Sequence, residues 1–120
     1  MENSLRLRRV DNLLVLDLIG KVNAIEFDIH LKLIKKLKGF DKLFINIAYL
    51  ENIDNELLGK FRKMRTALKD MPICFINVDV MQNSILNLFE IDKMFQLYMT
   101  KTDALEGKRP IVNRQFKLVS

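Results

Sequence analysis

The sequence lacks most of the residues that build catalytic centres and covalent cross-links. Its 120 residues include one histidine, His30, one cysteine, Cys74, and no tryptophan. One cysteine cannot form a disulfide within the chain, which is typical of proteins from a reducing compartment. One histidine and one cysteine supply neither the ligand cluster of a zinc site nor a Ser–His–acid triad. We interpret His30 as a solvated helix residue and Cys74, which lies in an apolar run, as an inert core thiol.

Phosphate-binding loops are also missing. The four glycines are isolated, so there is no GxGxxG or GxxxxGK[ST] motif. Asp54 and Glu56 form a carboxylate pair, but at a strand-to-helix junction such acids are first of all helix caps. We therefore expect that the protein is not an enzyme and that it has no cofactor, no metal and no catalytic residue.

The charge distribution argues against nucleic-acid binding. The net charge is +5, and four of these charges come from the last fourteen residues, which contain no acid. The rest of the chain is nearly neutral and shows no basic stripe interleaved with exposed aromatic residues. The first four residues lack the apolar core of a signal peptide, and no apolar run approaches the roughly 20 residues of a membrane span. We expect a cytoplasmic protein without a membrane span.

What is present is a regular succession of strand and helix patterns. Period-two and continuous apolar runs predict the strands Ser4–Val10, Leu13–Ile19, Lys42–Ala48, Ile73–Val78 and Phe95–Met99. Helical spacing predicts helices between Asn23 and Gly39, at Glu56–Lys69, at Met81–Phe89, and from Thr102 to Gly107. In the third helix we expect Met81, Ile85 and Leu88 to point inward, and in the last strand Phe95, Leu97 and Met99 to share one face.

The first predicted helix is ambiguous, because residues 25–33 also alternate as a strand does. We favour the helix since Asn23 followed by Glu26 fits an N-cap with an acid three residues on, and lysines gather near the far end. Gly39 then fits the position just after the helix.

The predicted order β-β-α-β-α-β-α-β-α indicates an α/β fold. We expect a single mixed, mostly parallel sheet of about five strands with helices packed on it, the first two strands forming an antiparallel hairpin. Residues 1–106 form this domain, and residues 107–120 form a basic C-terminal tail in which only Arg114–Val119 alternates weakly.

The segment from Leu43 to Phe61, LFINIAYLENIDNELLGKF, resembles the core of a STAS domain, the module of sulfate transporters and anti-sigma-factor antagonists. In that family a strand ends in Asp, and Ile-Asp-Ser-Ser/Thr-Gly-Leu then opens a helix; Ile53, Asp54 and Leu58 fall in register with this pattern. Weaker matches follow the same order at Gly20–Asn23, Ile76–Val78, Phe89–Phe95 and Thr102–Leu105. The resemblance covers roughly residues 4–106 and implies the fold expected above.

The chain departs from the family pattern at the residue that matters most. In the antagonists, a serine directly after the conserved Asp is phosphorylated by a partner kinase, and here that position is Asn55. Other departures are Glu56 for the Ser/Thr, Leu57 for the Gly and Asn46 for the Asp at the strand end. Residues 48–59 contain no Ser or Thr at all. The resemblance therefore implies a degenerate phosphorylation site.

The resemblance implies a protein-binding regulatory domain, similar to an anti-sigma-factor antagonist, whose partner is a serine-kinase-like anti-sigma factor. The residues implied to contact it are Asp54, Asn55, Glu56, Leu57 and Lys60. We favour the interpretation that the site permanently mimics the unmodified state. The alternative is that Glu56 partly imitates the phosphorylated state, but one carboxylate carries only about half the charge of a phosphate group. Asp54 and Asn55 are also read as simple helix caps.

Other functions remain open at this point. The resemblance equally permits an accessory subunit of an ABC lipid-transport system, with a transporter ATPase as partner. The loops at the carboxyl ends of the parallel strands are the usual place for a ligand such as a nucleotide or a lipid. A homodimer formed through the first strand or the tail is a further possibility.

Overall fold

The computed structural model describes residues 4–107, which form five strands and four α-helices. The strands are β1 (Leu5–Val10), β2 (Leu13–Gly20), β3 (Lys42–Leu50), β4 (Ile73–Ile76) and β5 (Gln96–Leu97). The helices are α1 (Ala24–Lys36), α2 (Asn55–Ala67), α3 (Val80–Leu88) and α4 (Lys101–Leu105), with a 3-10 turn at Ile91–Lys93 after α3. This is the predicted order of elements. Residues 108–120 of the predicted tail lie outside the described residues.

The strands form one mixed sheet in the order β1-β2-β3-β4-β5. β1 and β2 pair antiparallel across the turn at Asp11, which has a φ of 55°, and all later pairs are parallel. The predicted α/β fold with a mostly parallel sheet is therefore confirmed. It places the carboxyl ends of β2, β3 and β4 along the same edge of the sheet.

One face of the sheet carries the main core beneath α1, α2 and α3. Its centre is a row of four rings, Phe27, Phe61, Phe75 and Phe95, whose successive centroids lie 6.3, 4.8 and 5.1 Å apart. The other face has a smaller cluster that includes Val15, Phe44, Cys74, Tyr98 and Ala104 of α4. Alternating side chains along each strand supply the two faces.

His30 and Cys74 belong to opposite faces of the sheet. Cys74 is buried on the smaller face, and burial raises the pKa of its thiol. His30 is half-buried, and its Nδ1 lies 2.9 Å from the carbonyl oxygen of Glu26 one turn earlier. The histidine thus satisfies the backbone of its own helix and is not simply solvated.

The prediction of which α3 side chains point inward is wrong. Met81 and Leu88 are each 74% exposed, whereas Gln82, Asn83 and Leu86 are buried. The phase of the helix is set by Asp79, whose side chain accepts a hydrogen bond from the Gln82 N–H in a capping box. Inside, the Gln82 amide donates to the carbonyl of Ile47 at 2.9 Å.

Several element ends also differ from the prediction. β3 continues past the predicted loop start to Leu50, and β5 pairs over only two residues, which leaves Met99 58% exposed. Thr100, and not Thr102, caps α4 by accepting a hydrogen bond from Asp103 N–H. α1 ends at Lys36, so Gly39, with a φ of +84°, lies beyond its C-cap.

A buried carboxylate, Asp17 of β2, joins the first three strands on the smaller face. Its side chain is fully buried and accepts hydrogen bonds from Arg6 Nε at 2.8 Å and Arg8 Nε at 2.7 Å. On its other side, Asn46 of β3 donates through Nδ2 at 2.9 Å. Burial alone pushes the pKa of Asp17 up, but the hydrogen bonds from these three side chains outweigh it and hold the pKa below its ordinary value.

Asn46 continues the network toward the edge where the strands end. Its Oδ1 accepts from Asn77 Nδ2 at 2.9 Å and from Ala48 N–H at 3.1 Å. Asn77 follows β4 with a φ of 59°, a conformation that Asn tolerates. Asp17, Asn46 and Asn77 thus link three neighbouring strands through side chains as well as backbone.

We expect Asp17→Asn to lower the free energy of unfolding at pH 7 by about 1–3 kcal/mol and to flatten its acid dependence. A carboxyl group whose pKa is lower when folded stabilises the protein above its unfolded pKa of about 3.9, and this stabilisation is lost as pH falls. Urea unfolding between about pH 3 and pH 7 measures both effects. Asp70→Asn, at an exposed site outside the network, is the control, and parallel pH profiles for wild type and Asp17→Asn would contradict the account.

Candidate functional site

The junction between β3 and α2 forms a short loop and an exposed helix tip. β3 ends at Leu50, and α2 begins at Asn55 after the N-cap Asp54. Asp54 has extended backbone angles, and its Oδ1 accepts a hydrogen bond from Leu57 N–H at 2.9 Å. The predicted capping role of Asp54 is confirmed, and the cap fixes which residues of the first turn face outward.

The structure places the five residues predicted to contact a partner in different environments. Asp54, Asn55 and Glu56 are exposed at the tip of α2. Leu57 is only 4% exposed and belongs to the main core. The capped first turn directs the Leu57 side chain beneath the helix, so a partner that approaches the tip would meet Asp54, Asn55 and Glu56 first.

Lys60, one turn further along α2, is already paired. Its Nζ lies 2.8 Å from Asp28 Oδ2 on α1, and Lys63 Nζ lies 3.2 Å from Oδ1 of the same carboxylate. The hydrogen bond from Lys60 is the main cause that lowers the pKa of Asp28. The Lys60 side chain is 19% exposed, so it ties α2 to α1 more than it offers a free charge.

A cleft of about 450 Å³ separates the starts of α1 and α2. Its lining consists of residues 21–25 and Glu56. The N-cap Asn23, whose side chain accepts a hydrogen bond from Glu26 N–H as predicted, therefore lies across the cleft from the tip of α2. The lining thus combines the charged Lys21 and Glu56 with the apolar Val22 and Ile25.

On the other side of the loop, a smaller groove of about 130 Å³ runs between residues 50–53 and α3. Met81, Ile85 and Gln82 line its α3 wall. Beside it, Val80 is 69% exposed and Met81 74%. The sequence interpretation missed this apolar wall because it placed Met81 in the core; the Asp79–Gln82 capping box was the signal that would have set the helix correctly.

Asn46 occupies the strand position where the STAS pattern has Asp, and the network explains why the amide suits this chain. The side chain is both donor to Asp17 and acceptor from Asn77. An aspartate there would lack the donor and would place a second carboxylate against the buried Asp17. The departure at Asn46 is therefore coupled to Asp17 on the neighbouring strand.

The helix tip presents polar side chains to solvent. Asn55 presents an exposed amide, which cannot accept a phosphoryl group as a hydroxyl does, and Glu56 presents one carboxylate. Among residues 4–107, no group of three or more metal-ligating side chains comes together. In the same described part, none of the helices is long and apolar enough to span a bilayer.

Comparison with solved structures identifies the fold. An anti-sigma factor antagonist from Mycobacterium paratuberculosis is similar with a TM-score of 0.75, at 19% identity, over 86% of this chain and 91% of that one. An anti-sigma-factor antagonist (STAS) domain protein from Planctomyces limnophilus is similar with a TM-score of 0.71, at 14% identity, over 86% and 96% of the two chains. This chain has the STAS fold.

A third structure with the STAS fold is the Bacillus cell fate determinant SpoIIAA in its phosphorylated form. It is similar with a TM-score of 0.64, at 11% identity, over 85% of this chain and 96% of that one. No protein-family model and no curated protein matches the sequence. The STAS fold inferred from the junction at Leu43–Phe61 is thus confirmed by the three-dimensional comparison.

We expect Asp54→Ala to destabilise the protein by about 1 kcal/mol, because the Leu57 N–H loses its side-chain acceptor. Asn55→Ala, at the next residue, should change the free energy of unfolding by less than about 0.5 kcal/mol, since the structure shows no hydrogen bond from its side chain to residues 4–107. Chemical denaturation of both variants measures the difference. Equal losses in the two variants would show that the helix does not start as described.

Proposed function

We propose that this protein is a non-catalytic regulatory domain that binds another protein through the tip of α2, in the manner of an anti-sigma-factor antagonist, without being phosphorylated there. One observation carries the proposal. Asn55 lies exposed at the start of the helix, at the position where the STAS pattern has the phosphorylated serine.

The physical effect of a phosphate at this position explains why its loss matters. A phosphoserine adds about −1.5 to −2 charges and three acceptor oxygens at a helix start, where free N–H groups and the helix dipole hold anions. Asn55 keeps the polarity of the site and carries no charge. Glu56 adds one permanent charge in the first turn, where the dipole stabilises it. The tip therefore stays close to the unmodified, partner-binding state.

The surface around the tip has the composition of a protein interface. Asp54, Asn55 and Glu56 supply polar contacts, and Met81 and Ile85 supply an apolar wall beside the loop. Methionine and aliphatic side chains next to a polar rim are typical of surfaces that bind proteins. Leu57 and Lys60 contribute from beneath by holding the tip in place, with Lys60 paired to Asp28.

The partner that fits this proposal is a serine-kinase-like anti-sigma factor in the cytoplasm. Solved structures with the same fold include anti-sigma factor antagonists and SpoIIAA in both its phosphorylated and unphosphorylated forms. A partner of that class would bind the tip and find no hydroxyl to modify. The regulator would then be switched by its own abundance or by a site elsewhere.

We expect affinity purification of the tagged protein from its native cells, followed by mass spectrometry, to recover such an anti-sigma factor. Glu56→Lys should reduce recovery severalfold, because it reverses the charge at the tip. Asp70→Lys makes the same charge reversal at an exposed residue in the turn after α2 and should leave recovery unchanged. Recovery of an ATPase and a permease would instead support an accessory subunit of an ABC lipid-transport system. The proposal would be contradicted if the only protein recovered were a second copy of the same chain. It would also be contradicted if both variants recovered the partner equally.

Asn55→Ser tests whether the tip corresponds to the family's phosphorylation site. With the recovered kinase-like partner and ATP, we expect phosphate to be incorporated into this variant and not into the wild type. Asn52→Ser, three residues earlier in the exposed loop, is the matched control and should stay unmodified. Intact-mass measurement detects the added phosphate. Phosphorylation of the wild type, or equal phosphorylation of both variants, would show that the tip does not correspond to the family's phosphorylation site.

A further inference from the structure

The outer edge of β1 is a second surface, remote in the sheet order from the α2 tip. β1 is the first strand of the sheet, and no residue among 4–107 pairs with its outer side. Ser4 C=O accepts a hydrogen bond from the Ile19 N–H directly opposite. In an antiparallel pair, every second residue of an edge strand forms backbone hydrogen bonds with the neighbouring strand. The backbone N–H and C=O groups of Arg6 and Arg8 therefore also face β2. Those of Leu5, Leu7 and Arg9 point outward. Such an edge is a template for an additional strand.

The side chains along this edge are strongly basic on one face. Arg6 and Arg8 are 59% and 37% exposed and share the one buried carboxylate of Asp17. Two guanidinium groups on one carboxylate leave a net charge of about +1, held in fixed positions by the hydrogen bonds. Arg9, also exposed, alternates to the other face, where its guanidinium donates to the backbone carbonyls of Asp11, Lys38 and Gly39.

The other face of the same edge is apolar. Leu7 is half-buried there, and α1 lies beside it with Ile29 59% exposed and Leu33 46% exposed. Leu33, two turns after Glu26, lies on the flank of α1 whose Glu26 carboxylate accepts a hydrogen bond from the Ser4 N–H at the start of β1. The opposite flank, with Asp28, faces α2. Ile29 lies opposite the buried Phe27, Leu31 and Ile34 and faces solvent. Leu33 is therefore the exposed apolar residue of α1 on the β1 side.

Lys36, three residues after Leu33, adds an exposed cation next to it on α1. The unpaired backbone, the partly exposed Leu7 and Leu33, and the excess of cations thus coincide along one edge.

We propose that the β1 edge binds an extended acidic segment of a partner protein as an added strand. Its backbone would pair with Leu5, Leu7 and Arg9. Its acidic side chains would face Arg6 and Arg8, and its apolar side chains, at the alternate positions, would pack on Leu7 and Leu33. The alternation of a strand presents these two kinds of side chain to opposite faces. This surface is distinct from the α2 tip.

Charge decides among the possible occupants of the edge. A second copy pairing through β1 would bring two identical rows of arginines together, which opposes association. The chain's own last fourteen residues carry four cations and no acid, so the arginines of β1 would repel them. A nucleic acid would satisfy the arginines but has neither the strand backbone nor the aliphatic side chains that the rest of the edge matches.

The probe for this site is a fluorescein-labelled peptide of about eight residues in which Glu and Val alternate. We expect its binding, measured by fluorescence anisotropy, to weaken as salt rises from about 0.05 M to about 0.5 M. Backbone amide signals of Leu5, Leu7 and Arg9 should shift in NMR spectra of the full chain. Leu33→Glu should raise the Kd about tenfold, since it places a like charge in the apolar contact.

Leu88→Glu, the same change at an exposed leucine of α3, should leave peptide binding unchanged. No binding below about 1 mM peptide, or equal binding of a peptide in which Lys and Val alternate, would overturn the proposal. So would displacement of the peptide by an oligonucleotide or by self-association of the protein at β1. Because Glu56→Lys tests the α2 tip and should not alter peptide binding, failure here and failure of the proposed function are distinguishable.

Discussion

The structure depends on how it compensates the charge of one buried carboxylate. Asp17 is removed from water in the middle of β2, and an unpaired charge there would be strongly destabilising. Arg6 and Arg8 reach it from β1 and Asn46 from β3, so the compensation also fixes the order and alignment of the three strands. The same network gives the β1 edge its basic face.

The position of the helix tip follows from the end of this network. Asn46 holds Asn77 and the backbone of Ala48, which anchors the last part of β3. From that anchored strand a short loop leads to Asp54, and the cap turns Leu57 inward while Asn55 and Glu56 stay in solvent. A rigid scaffold thus presents a small polar tip beside an apolar wall.

Local signals in the sequence predicted the elements, and tertiary contacts decided the details. The apolar runs predicted all five strands, and the Asn23 and Asp54 caps predicted two helix starts, because these are short-range effects. Local sequence patterns could not predict which side of α3 faces the core. That side is set by the hydrogen bond from the Gln82 amide to the carbonyl of Ile47, 35 residues away in the sequence. The pairing of Lys60 with Asp28 likewise requires the packed helices. Asp17, a lone charge within an apolar strand opposite alternating arginines, was a readable signal of the network.

The central claim is that the unmodified tip of α2 is the contact surface for a protein partner. Hydrogen–deuterium exchange on the complex with the recovered partner, combined with the intact mass of this chain, tests it most directly. The account predicts protection at residues 53–58 and in α3 near Met81, with no added phosphate on the bound chain. Protection confined to other surfaces, with the tip exchanging as in the free protein, would contradict it.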